Sequence, residues 1–131
     1  MKKELSLFTD IKGFKNKKNA LPQESGVYIF ASSKNIPRLV GSSTILKIGE
    51  TLNLKSRMKR YFNLSLSRLS KSPKRRTAFI LRNYLDNCSN SKVTLLFKPI
   101  KENSLLKEEK RLLKMYFEEH FEVPPLNMGL K

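Results

Sequence analysis

Cysteine and histidine each occur once in this chain of 131 residues. The single thiol, Cys88, excludes an internal disulfide and any multi-cysteine zinc site. The solitary His120 falls near the end of a helical stretch, where a surface or capping role is the ordinary one. No run is long and apolar enough for a membrane span. The basic start MKKELSLFTDIKGF lacks the continuous apolar core and small-residue cleavage site of a secretory signal, so the cytoplasm is the expected compartment. There is no internal repeat and no long low-complexity tract.

The largest deficit is of negative charge. Between Thr51 and Leu85 there is no Asp or Glu, whereas Lys55, Arg57, Lys59, Arg60, Arg68, Lys71, Lys74, Arg75, Arg76 and Arg82 all lie there. One or two lysines would read as a solvated helix face. Ten cations with no carboxylate to pair with fit contacts to phosphates better than internal ion pairs. The formal net charge of +16 agrees, since self-repulsion of that size suits a polyanion binder. DNA, or RNA, is therefore the expected partner and membrane is not. Contacts of this kind are salt dependent and carry little sequence information.

What remains describes one compact domain. Residues 1–20, with the polar and basic GFKNKKNA, read as a loosely attached arm. Order is expected from Leu21. GVYIFA and TILKIG are strands joined by an irregular loop carrying Pro37 and Gly41. A helix follows from Leu52 to Phe62, with Leu54, Met58, Tyr61 and Phe62 on one face. RRTAFILRNYL forms a second helix and KVTLLFKPI a third strand. A last helix, with Asn103 or Ser104 able to cap it, runs to about Phe121. The order ββααβα implies an α+β fold with a small, mainly antiparallel sheet covered by helices.

One carboxylate in that last helix is out of place. At about 100° per residue Leu105, Leu112, Leu113 and Tyr116 share an arc, and Glu109 lies near its middle, with Glu108 outside it. A buried carboxylate costs several kcal/mol unless it is paired or bound to a metal. Two explanations stand: a structural salt bridge, or a ligand for a hard cation such as Mg²⁺ completed by water and substrate phosphate.

Taken in order, GVY (Gly26 to Tyr28), KIG (Lys47 to Gly49), NLKSRMKRYF with Arg57 and Tyr61, Glu109 in LLKEEKRLL and PPLN ending at Asn127 resemble the successive motifs of the GIY-YIG nuclease superfamily. The likeness is closest to the N-terminal nuclease domain of the bacterial excision-repair incision proteins, which similarly opens with a Leu-Pro, here Leu21-Pro22. It covers roughly Leu21 to Asn127. Each motif is weak alone; five in order are specific.

The resemblance implies a three-stranded antiparallel sheet flanked by helices over residues 21–131. It also implies hydrolysis of DNA phosphodiester bonds assisted by one Mg²⁺ (or Mn²⁺), as in DNA repair or restriction. By position, Tyr28 would act on or place the attacking water, Arg57 would stabilise transition-state charge, Tyr61 would contact phosphate or water, and Glu109 would hold the metal. Asn127 would support the site from the chain end. Gly26 and Gly49 would be structural, Gly49 by letting the backbone turn from strand to helix. No further DNA-binding domain is recognisable, so a protein partner for targeting is left open.

Two positions depart from the pattern. Lys47 replaces the tyrosine of the second motif, and Glu50 stands where the repair domain usually carries lysine. Both bear on activity more than on fold. Strand alternation groups Lys47 with Ile45 and Gly49 and sets Leu46 and Ile48 on the other face. Lys47 then either donates to phosphate or to Tyr28, or reaches past the strand to solvent. The alternative to an endonuclease is a non-catalytic DNA- or RNA-binding module on the same scaffold.

Overall fold

Apolar side chains on both faces of a β run demand cover on both faces, and that requirement organises this chain. The computed structural model describes residues 1–11, 14, 21–63 and 93–127, with the side chains of residues 61–63 outside that set. Strands β1 (Thr9–Asp10), β2 (Gly26–Pro37), β3 (Ser42–Thr51) and β4 (Val93–Pro99) form one antiparallel sheet in the spatial order β1, β4, β2, β3. Helices α1 (Lys2–Leu5), α2 (Leu54–Asn63) and α3 (Leu105–His120) accompany it, α3 being preceded by a 3₁₀ turn at Glu102–Ser104.

The α+β class stands, but the sheet has four strands where three were expected. The fourth is β1, whose Thr9 and Asp10 pair with Phe97 and Leu96. The arm expected over residues 1–20 therefore carries structure in its first half. Phe8 is buried in the core with Met1 and Leu5 packed beside it, and Phe14 is buried on the other side of the sheet. A few apolar residues spaced among lysines are enough to anchor it. The described order is α1, β1, β2, β3, α2, β4, α3, which differs from ββααβα at its start. The helix expected in RRTAFILRNYL lies outside the described residues.

The first seven residues of β2 are all buried, as a central strand covered on both faces requires. On one face Tyr28, Phe30, Leu46, Leu95 and Phe97 pack with Leu54 and Met58 of α2. On the other, Val27, Ile29, Ile45 and Ile48 pack with Leu112, Leu113 and Tyr116 of α3. Each fully buried side chain of this size contributes about 1.5–3 kcal/mol.

The β2 to β3 connection is tighter than the irregular loop expected. Strand pairing continues to Pro37 opposite Ser42, and the turn closes with Arg38 N–H donating to the Gly41 carbonyl at 3.0 Å. Gly41 has φ +70°, a conformation that suits glycine. His120 lies against this turn, buried, with Nδ1 2.8 Å from the Val40 carbonyl oxygen. It is an anchor between helix and hairpin, where a surface or capping role was expected.

Candidate functional site

The pairing of β2 with β3 determines which residues of the two strand motifs meet. Tyr28 stands opposite Gly49, Ile29 opposite Ile48 and Phe30 opposite Lys47. The next pair is Ala31 with Ile45, so β3 advances two residues while β2 advances one. Leu46 is the extra residue of a β-bulge. Ile45 and Ile48 face α3 while Leu46 faces α2. Simple alternation is thereby corrected: Lys47 keeps company with Gly49 but not with Ile45, and it lies on the Tyr28 side.

Tyr28 lies directly over Gly49. A Cβ built on Gly49 would sit 2.5 Å from Cζ and 2.6 Å from the hydroxyl oxygen of Tyr28. Gly49 is needed for this overlap, and its backbone is not among the positive-φ glycines; the strand-to-helix turn expected of it is not its role. Phe30 fixes the ring from the side, edge-on at 5.7 Å between centroids. Gly26 is equally constrained, because a Cβ there would run into the Lys98 carbonyl and the Phe97 ring. Tyr28 is 1% exposed, whereas Lys47 is half-buried on the edge strand.

Asn127 clamps the same strand from outside. Its Oδ1 accepts from Ile48 N–H at 2.9 Å and its Nδ2 donates to the Ile48 carbonyl at 2.8 Å. Leu126 N–H donates to the Leu46 carbonyl at 2.9 Å, at the bulge. A short tail segment thus takes the place of a further strand and holds the backbone between Lys47 and Gly49. The side-chain amide, with one donor and one acceptor, matches what an edge residue presents.

Helix α2 begins at a tightly bonded corner. Thr51 Oγ1 accepts from Asn53 N–H at 3.1 Å and donates to the Asn53 carbonyl at 3.0 Å. Asn53 Oδ1 caps the helix through Ser56 N–H at 3.0 Å. Leu54 and Lys55 N–H donate to the carbonyls of Glu24 and Pro22. The helix start is consequently occupied, its first N–H groups being bonded within the protein. The helix expected from Leu52 thus begins at Leu54, with Asn53 as its cap.

Leu54 and Met58 turn inward and Lys59 and Arg60 are exposed, with Lys55 and Arg57 half-buried at the margins. Tyr61 follows Arg57 by one turn on the helix backbone. Arg68, Lys71, Lys74, Arg75, Arg76 and Arg82, expected to bind nucleic acid, lie outside the described residues, as does Cys88.

Glu109 is 1% exposed, on the stripe with Leu105, Leu112, Leu113 and Tyr116. Its neighbour Glu108 reaches Lys98 at 3.5 Å. Lys98 stands opposite Val27, the row next to Tyr28 and Gly49. Glu109 belongs to the helix packed on the face of the sheet opposite Tyr28. The structure brings Tyr28 of β2 together with Lys47 and Gly49 of β3 and Asn127 beside that strand, and sets Glu109 on the helix behind the sheet. Among the described residues no group of three or more His, Cys, Asp or Glu side chains is placed to hold a metal. Glu109 alone would give a hard cation one protein ligand, and at 1% exposure water and substrate phosphate would have to be admitted to complete the shell.

The electrostatics of α3 centre on Arg111. Its guanidinium meets Glu4 of α1 through two nitrogens at 2.9 and 2.8 Å and Glu108 at 2.5 Å. Hydrogen bonds from Arg111 hold the carboxyls of Glu4 and Glu108 below the usual range, and the two carboxylates raise Arg111 in turn. Burial pushes the Tyr116 phenol up. No described helix is long and apolar enough to cross a membrane. Comparison with protein-family models, curated proteins and solved structures yields no match to this chain.

Proposed function

We propose that the chain is a metal-dependent endonuclease that hydrolyses DNA phosphodiester bonds. The observation that carries this reading is the seating of Tyr28 on Gly49, with Lys47 on the same face and Asn127 fixing the backbone between Lys47 and Gly49. A phenol, an ammonium and the guanidinium of Arg57 near one strand edge suit a phosphate with an attacking water. In hydrolysis the water oxygen bonds to phosphorus as the bond to the leaving oxygen breaks, and the water's proton passes to a base. Tyr28 takes or places that proton. A phenol, with a reference pKa of about 10, does so at neutral pH only with cations beside it, the part given to Lys47 and Arg57.

Arg57 also balances charge on the equatorial oxygens. Glu109 is the residue that would hold Mg²⁺ or Mn²⁺ for neutralisation at the leaving oxygen, which requires the metal to reach the phosphate past the β3 edge from the face of the sheet opposite Tyr28. Because Tyr28 is 1% exposed, catalysis requires that substrate binding uncover the phenol. The exposed cations Lys59 and Arg60 continue the site along α2 as a phosphate track, with no acidic residue from Thr51 to Leu85 to oppose it.

Lys47 in the second-motif position and the burial of Tyr28 favour a second reading, a non-catalytic DNA- or RNA-binding module on the same scaffold. Plasmid nicking separates the two. Glu109→Ala abolishes metal-dependent nicking and keeps DNA affinity if the enzyme reading holds. Equal nicking by variant and wild type overturns the role given to Glu109, and absence of nicking by wild type leaves the binding module.

A further inference from the structure

Leu52 is 61% exposed at the corner between β3 and α2. A single exposed leucine is ordinary on a protein surface. Its setting here is not. The residue before it, Thr51, is 3% exposed and the residue after it, Asn53, caps α2, so the leucine projects from a corner bonded on both sides. Leu54 and Lys55 N–H are tied to Glu24 and Pro22, which fixes the corner to the body of the protein. The side chain is presented by rigid backbone, at little entropic cost on binding.

Its surroundings are cationic on the α2 side, with Glu24 and Glu50 on the strand side. The solvent face of α2 continues from the corner through Ser56 to Lys59 and Arg60, all exposed. Leu52 lies three residues beyond Gly49, the residue the Tyr28 ring covers, and immediately past the end of β3 at Thr51. Of the other exposed large apolar residues, Leu39, Val40, Phe117 and Phe121 lie at the far end of α3 or the hairpin it anchors, Leu7 follows α1 and Leu106 is in the first turn of α3.

We infer that Leu52 is a wedge that enters the base stack beside the bound phosphate, and that the substrate class is duplex DNA whose stacking is already interrupted, at a branch, nick or bulge. The inference rests on the nucleic-acid reading of this face and adds to it a choice of substrate. An apolar side chain on a basic surface separates base steps at a cost of a few kcal/mol, and that cost is least where the stack is already broken. Lys59 and Arg60 hold phosphates on one side of the wedge while the corner keeps it from folding back.

The test uses the full chain with two DNAs: an intact duplex, and a fork carrying 2-aminopurine at the bases flanking the branch. Wild type raises 2-aminopurine fluorescence on the fork, and Leu52→Phe retains the rise. Leu52→Ser removes it and loses about tenfold in fork affinity, with intact-duplex affinity and melting temperature unchanged. Flat fluorescence with wild type bound to the fork overturns the wedge and leaves nucleic-acid binding standing. An unchanged rise with Leu52→Ser overturns it equally, and assigns the exposed leucine to a protein contact or to none. Absence of salt-sensitive binding to either DNA overturns the underlying reading, and the wedge with it.

Discussion

The Tyr28 ring lies across the bare Cα of Gly49, so closely that a methyl group there would sit 2.5 Å from Cζ. This contact joins the two strand motifs and sets where the phenol can be. Gly49→Ala forces the ring away and destabilises the fold by about 1–3 kcal/mol, as overpacking does. The variant also loses cleavage. A double-mutant cycle with Tyr28→Leu measures the contact: the two changes together cost less than their sum, because the smaller side chain makes room. Strict additivity in the melts would refute the overlap.

Asn127→Ala leaves the N–H and carbonyl of Ile48 without their partner, at about 1–3 kcal/mol. Hydrogen exchange at the Ile48 amide accelerates more than at Ile29, its neighbour on the central strand. Uniform acceleration across the sheet would instead mean that Asn127 serves global stability alone.

Arg111 gives the fold an acid-sensitive seam. Glu4 and Glu108 have carboxyls lowered by its hydrogen bonds. Their contribution is fully present above the unfolded carboxyl value of about 4.3 and is lost as pH falls through the lower folded values. The arginine is 41% exposed, so the network contributes about 1 kcal/mol or less after solvent screening. The melting-temperature difference between wild type and Arg111→Met is present at pH 7 and disappears as the medium is made strongly acidic. A difference that grows on acidification runs against the predicted sign.

Lys47 is one of the two positions, with Glu50, at which the sequence departs from the motifs it resembles. Removing a donor aimed at phosphate costs on the order of 10²–10³ in the rate of the chemical step. Lys47→Met therefore lowers single-turnover cleavage by about that factor and leaves the fold intact, since the lysine is half-buried on the edge strand. Cleavage within a factor of two of wild type would assign Lys47 to the solvent side.

Much of this was legible in the sequence where periodicity is strong. The buried stripe of α3, Glu109 included, follows from 100° per residue, and β4 from its apolar run bounded by Pro99. The bulge at Leu46 was not legible, because it arises from pairing between two strands and leaves no mark in either one. It reversed the face of Ile45 relative to Lys47. Strand β1 was hidden for a different reason: two residues show no period, and Thr9–Asp10 pairs because the edge of β4 is open to it. Gly49 was recognised as structural for the wrong reason, since close approach and backbone freedom both call for glycine. Placing Glu109 on the helix behind the sheet needed three dimensions.

The most direct measurement is single-turnover cleavage of an end-labelled branched duplex by the wild-type chain, with Mg²⁺ or Mn²⁺ and with chelator. Strand breaks require the metal and disappear in Glu109→Ala, a variant that keeps its DNA binding. Tight, salt-sensitive binding by wild type without breakage in either metal, on branched, plasmid and single-stranded DNA alike, would contradict the endonuclease reading.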